Sequence, residues 1–124
     1  MTTRKEIGRY VERLESNVRL HTCATVEGEV RFGLARLPSG KKKRQLSNAL
    51  TQVLERIDEI FPITSEDASN YAVLKADLRG AGKSMDENDF WIAAVVITHG
   101  LVLLSSDKDF QGIPGLAVDD WSLA

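Results

Sequence analysis

Hydrophobic positions in this chain switch repeatedly between helical spacing and short continuous or alternating runs, the pattern of helices interleaved with strands. Ile7, Tyr10, Val11 and Leu14 place an amphipathic helix over residues 3–15. Val18 to Cys23 alternates as a short strand. Thr25 then caps a helix running to about Leu37, with Val26, Val30, Gly33, Leu34 and Leu37 as its buried stripe. After the turn at Pro38, Ser39 and Gly40, a long helix carrying Leu46, Leu50, Val53, Leu54 and Ile57 runs to about Ile60. Phe61, Pro62 and Ile63 form a short extended segment, since Pro62 argues against a long central strand. Thr64 or Ser65 opens a further helix through Tyr71, Leu74 and Leu78, which Gly80 and Gly82 end.

The stretch from Ser84 to Phe110 organises the rest. Ser84 with Glu87 fits a capping box, with Asp86 as a competing cap, and Gly100 is a natural helix stop. Between them Asp89 shares the apolar face with Ile92, Ala93 and Val96. Leu101 to Leu104 is a continuous apolar run, which predicts a strand covered on both faces of a parallel sheet. Asp107 falls just past its carboxyl end, where open α/β sheets place ligands. A last edge strand lies in the tail between Phe110 and Trp121. The predicted fold class is α/β, with a mainly parallel sheet and helices on both faces.

Composition narrows this without redirecting it. At 124 residues, 43% hydrophobic and 27% charged, the chain is sized for one globular domain, 1–124. A formal charge of −2 gives no global signal for nucleic acid. The single cysteine, Cys23, forms no internal disulfide, reads as a core residue and fits a reducing compartment, so a cytoplasmic location is expected. No signal peptide or membrane span is read from the sequence.

Three carboxylates stand out: Glu29, Asp89 and Asp107. Like charges held together destabilise a fold unless a hard cation neutralises them, and all-oxygen ligands suit magnesium or manganese. Such a site serves phosphodiester hydrolysis. Periodicity leaves Glu29 open between a solvated position and the core margin. The run Lys41, Lys42, Lys43 and Arg44 is read first as a solvated helix start and second as a phosphate-contacting patch; its spacing from Gly33 rules out a phosphate loop. His21 and His99 read as structural.

The segments Asn88-Asp89-Phe90-Trp91-Ile92-Ala93-Ala94, Gly100 to Phe110 with Ser105-Ser106-Asp107-Lys108-Asp109, and Gly115 to Trp121 strongly resemble the C-terminal half of PIN-domain nucleases, and VapC toxins most of all. Glu29 to Leu34 with the turn after it resembles the family's second acidic motif. The resemblance implies a PIN-like fold, magnesium- or manganese-dependent cleavage of RNA, a homodimer and a VapB-type antitoxin partner. By motif, Glu29, Asp89 and Asp107 are the catalytic and metal-binding acids, Ser105 supports them, and Asp109 is a turn residue. The resemblance departs at the N-terminus, where Met-Thr-Thr-Arg-Lys-Glu stands in place of a short strand ending in Asp. The first strand and first acid are therefore expected to be missing, the domain N-terminally truncated relative to the family. A catalytically inactive binding module for antitoxin or RNA is the alternative.

Overall fold

The computed structural model describes residues 18–120. The N-terminal helix and the missing first strand expected from sequence lie outside the described residues, as does Trp121. The chain folds as two compact units, one of residues 19–63 and a second that includes the described residues from Thr64 onward.

The first unit contains β1 (His21–Cys23), α1 (Ala24–Ala35), α2 (Lys41–Arg56) and β2 (Glu59–Phe61). β1 and β2 pair in parallel, with Thr22 opposite Ile60. The strand expected from Val18 starts only at His21, because the partner changes there. Leu20 exchanges bonds with Asp58, donating its N–H to Asp58 Oδ2 (2.7 Å) and accepting from the Asp58 N–H (2.7 Å). α2 stops at Arg56 rather than near Ile60, since Glu59 to Phe61 are drawn out to pair with β1. The cap expected at Thr25 lies further upstream: α1 begins at Ala24 with Cys23 as its N-cap and no side-chain bond. Its expected buried stripe is not buried. No residue of α1 is, Val30 is exposed, and Phe32 on another face is 65% exposed with Arg36 over its ring. Cys23 is in the core, and His21 stacks on Phe61 at 5.2 Å.

The second unit contains α3 (Ser65–Gly80), α4 (Glu87–His99), β3 (Val102–Leu104), a single 3-10 turn (Lys108–Phe110) and β4 (Ala117–Asp119). α3 starts on a capping box: the Asp67 N–H donates to Thr64 Oγ1, and the Thr64 N–H donates to Asp67 Oδ2 (2.9 Å). α3 and α4 pack on each other. Their shared core is Leu74, Leu78, Phe90 and Ala93, closed by Phe110 and Ile113 from the loop after β3. β3 and β4 pair in parallel with Leu103 opposite Val118. Among the described residues all strand pairing is thus parallel, but it falls into two two-stranded sheets rather than one. β3 is not covered on both faces: Val102 is 63% exposed, and only Leu103 and Leu104 are partly buried.

The start of α4 differs from the capping box expected at Ser84. Asp86 is the N-cap, without a side-chain bond. Glu87 turns away to meet α3, where its carboxylate takes Lys75 Nζ (2.7 Å) and the Tyr71 hydroxyl. Tyr71 in turn lies flat on Trp91, ring centroids 3.9 Å apart. Gly100 ends the helix with φ 62°, the left-handed conformation that a residue without Cβ adopts at low cost.

Candidate metal centre

Two anchored segments bring carboxylates together at one end of the second unit. Asp89 is in the first turn of α4, where the positive end of the helix dipole favours an anion. Its neighbours Phe90 and Ala93 are buried in the α3/α4 core, so the backbone that carries the half-buried Asp89 is fixed by packing. Asp107 follows β3 in a hook held at every second residue. The Ser105 N–H donates to Asp119 O (3.1 Å). Ser105 Oγ accepts the Asp107 N–H (3.0 Å), and Asp107 Oδ1 accepts the Asp109 N–H (2.9 Å). Phe110, 5% exposed, then drops into the same core that holds Phe90.

One carboxylate oxygen each of Asp89, Asp107 and Asp109 lie within 4.8 Å of one another. Oxygens bound to one magnesium ion, at metal–oxygen distances of about 2.1 Å, are themselves about 3 to 4.2 Å apart, so a small rotation of the exposed side chains closes the set. The donor set is all carboxylate, which suits a hard divalent cation such as magnesium or manganese. Among the described residues no lysine or arginine pairs with Asp107 or Asp109. The residues present fit such an ion.

The structure therefore brings Asp89 and Asp107 together, and adds Asp109, which the motif resemblance assigns to the turn. Its signal in the sequence is the spacing of two in Asp107-Lys108-Asp109, at a point where a short Asx turn reverses the chain. Ser105 does not reach toward an ion; it holds the backbone N–H of Asp107. Glu29 belongs to the other unit, on the exposed face of α1, close in sequence to the Glu27–Arg31 ion pair (2.9 Å). The basic run opens α2. Lys41, Lys42 and Arg44 are exposed, whereas Lys43 is folded back to donate to Leu37 O (3.2 Å).

Parallel strand pairs with helices between them in the chain, and an acidic cluster past a strand's carboxyl end, define an α/β protein with a candidate divalent-cation site. The chain belongs to the PIN-domain family, which it matches over residues 2–116. Its relatives are of the VapC type. It is 32% identical over 108 residues to a VapC ribonuclease of Sinorhizobium fredii, an alignment covering 85% of this chain and 77% of that one. Among solved structures it superposes on FitAcB from Neisseria gonorrhoeae with a TM-score of 0.81 and 26% identity, over 99% of this chain and 89% of that one. A member of the VapBC family of toxin-antitoxin systems from Mycobacterium tuberculosis superposes with a TM-score of 0.70 and 28% identity, over 82% and 79% of the two chains. No helix among the described residues is long and apolar enough to cross a membrane.

Proposed function

We propose that this protein is the toxin of a VapBC-type pair and a metal-dependent endoribonuclease, working in the cytoplasm as a homodimer and silenced by a VapB-type antitoxin. The observation that carries the reading is the convergence of Asp89 and Asp107 from a helix start and a strand end that share one core. The VapC ribonuclease relative supports RNA as substrate, and the toxin–antitoxin neighbour supports the partner.

In this reading Asp89 and Asp107 would hold magnesium or manganese, and Glu29 is assigned a catalytic role on its motif position alone. A bound divalent ion supplies charge neutralisation at the scissile phosphate and lowers the pKa of a water nucleophile. The chain's own part is positional. The first turn of α4 and the Ser105-anchored hook keep two carboxylates at fixed spacing, so little reorganisation remains when the phosphate arrives. The Asp109 N–H bond to Asp107 Oδ1 fixes the orientation of the carboxylate that would hold the ion. Lys41, Lys42 and Arg44 contact the RNA backbone, with Lys43 serving the fold instead.

The test is cleavage of labelled structured RNA by the purified chain with magnesium, manganese or chelator. Metal-dependent cleavage is expected in the wild type and a loss of at least about 100-fold in Asp89→Asn, as befits removal of a charged ligand at the reacting centre. Unchanged cleavage by that variant overturns the reading. A folded wild-type chain that binds RNA without cutting it leaves the inactive binding module in its place.

A further inference from the structure

We infer that Lys75 is a positioning residue for Asp89, acting on it through Glu87; the inference rests on the metal-dependent reading above. The two charged side chains meet from different helices, Lys75 Nζ donating to Glu87 Oε2 (2.7 Å), and Glu87 opens the same helical turn that carries Asp89. That turn needs a hold from outside. α3 closes its own start with the Thr64–Asp67 capping box, whereas Asp86, the N-cap of α4, makes no side-chain bond to the turn it begins. A first turn without such a bond frays readily, because its leading N–H groups have no partner within the helix. Phe90, buried in the α3/α4 core, secures Asp89 from its C-terminal side only. Glu87 is what secures it from the other.

A single exposed ion pair between helices ordinarily does little. This one is part of a closed network. Lys75 also donates to the Tyr71 hydroxyl (2.9 Å), and that hydroxyl donates to Glu87 Oε1, so α3 takes both oxygens of the carboxylate. The two donors are held in turn. Tyr71 is stacked on Trp91 and meets the Phe90 ring edge-on (6.3 Å), and Lys75 Nζ lies over the rings of Tyr71 (5.2 Å) and Phe90 (5.7 Å). The Lys75 side chain is 22% exposed, which limits the competition from water that weakens open surface pairs. Bonds that share the same few side chains reinforce one another, and here they all end on the residue two before Asp89.

The full-length chain tests this with Lys75→Met, Lys75→Arg and Asn70→Ala. Methionine keeps an unbranched stem against the rings of Tyr71 and Phe90 and removes the charged head. Asn70→Ala cuts a different bond between the same two helices, from Asn70 Nδ2 to Thr98 Oγ1 (2.8 Å), near the far end of α4. Amide hydrogen exchange and melting are recorded without metal, and single-turnover cleavage of labelled RNA with magnesium. The Phe90 N–H donates to Asp86 O (3.2 Å) and so reports whether the first turn is closed. In Lys75→Met it should exchange faster by about 10-fold, the scale of one lost hydrogen bond to a charged group, while the middle of α3 and of α4 keeps its protection. The maximal cleavage rate should fall by about 10-fold at an unchanged half-saturating concentration, because a misplaced carboxylate weakens the transition state and not RNA binding. Lys75→Arg should recover most of both losses. Asn70→Ala should melt lower than wild type, yet stay within about twofold of it in Phe90 exchange and cleavage rate.

Unchanged exchange of the Phe90 amide in Lys75→Met overturns the inference, and so does faster exchange with an unchanged cleavage rate. Faster exchange spread evenly over α3 and α4, with the same loss of cleavage in Asn70→Ala, overturns it too, since the lysine then only joins two helices. In each of these cases the wild type still cuts RNA and the functional reading stands. A folded wild type that cuts none takes both down together.

Discussion

Asp67 shows how a single side chain can be structural in every detail while carrying a charge. Among the described residues it is the one buried polar side chain of the second unit. Burial pushes its pKa up; the Thr64 N–H, the Thr98 hydroxyl, the Thr64 hydroxyl and the charge of His99 together outweigh that and hold it below the usual 3.8. The Thr98 hydroxyl also lies within hydrogen-bond distance of Ala94 O (2.8 Å). A carboxyl group with a depressed folded-state pKa stabilises the fold above its unfolded pKa and loses that contribution as pH falls through the folded value. Asp67→Ala should therefore cost about 1–3 kcal/mol at pH 7, by urea unfolding, from the lost capping bonds and the orphaned Thr64 donors. The gap to wild type should begin to narrow as pH falls below about 4, the unfolded value, and go on narrowing as Asp67 is protonated through its lower folded-state pKa. A gap that is constant from pH 7 to pH 3 would mean the charge contributes nothing. The helix opening at Thr64 was legible in the sequence; the burial of Asp67 was not, because an acid three residues after a cap ordinarily reads as solvated.

At the scale of elements, the helix stops were the most legible feature, and the strand limits the least. Gly100 ends α4 where its backbone needs positive φ, a local demand visible in one residue type. Ile60, by contrast, continues the apolar spacing of α2, and only its pairing with Thr22, far away in sequence, draws it into β2. The opening of α2 breaks a local rule in another way. Its first turn holds Lys41, Lys42 and Lys43 with Arg44 next and no acid, which sets like charge against the positive end of the helix dipole. A conflict of that kind without a structural gain marks a position kept for something else, and a polyanion would relieve it. Lys41→Gln, Lys42→Gln and Arg44→Gln combined should leave the melting temperature the same or higher. They should also flatten the dependence of log RNA affinity on log salt by about 2, from three lost phosphate contacts on single-stranded RNA. An unchanged salt slope in a filter-binding series would remove the patch from the RNA interface.

Across the whole molecule, the acids that the motifs set side by side fall into two compact units. Asp89, Asp107 and Asp109 are carried by a single core, that of α3, α4 and the hook after β3, whereas Glu29 rides on α1 in the other unit. The short motifs made the fold family and two of these carboxylates legible, because helix starts and strand ends announce themselves locally. Asp109 was hidden by its own turn, and the division of the strands into two parallel pairs depends on long-range pairing that no local pattern encodes. The division has a consequence for Glu29. A cluster complete within one unit keeps most of its hold on an ion when an acid of the other unit is neutralised. Glu29→Gln should thus lower RNA cleavage by at least about 10-fold, as for a charged group acting at the reacting centre, yet cost less Mn²⁺ affinity than Asp89→Asn. Single-turnover cleavage and Mn²⁺ titration on the same preparations measure both. Equal losses of affinity in the two variants would place Glu29 on the same footing as the trio; full cleavage by Glu29→Gln would take it out of the site.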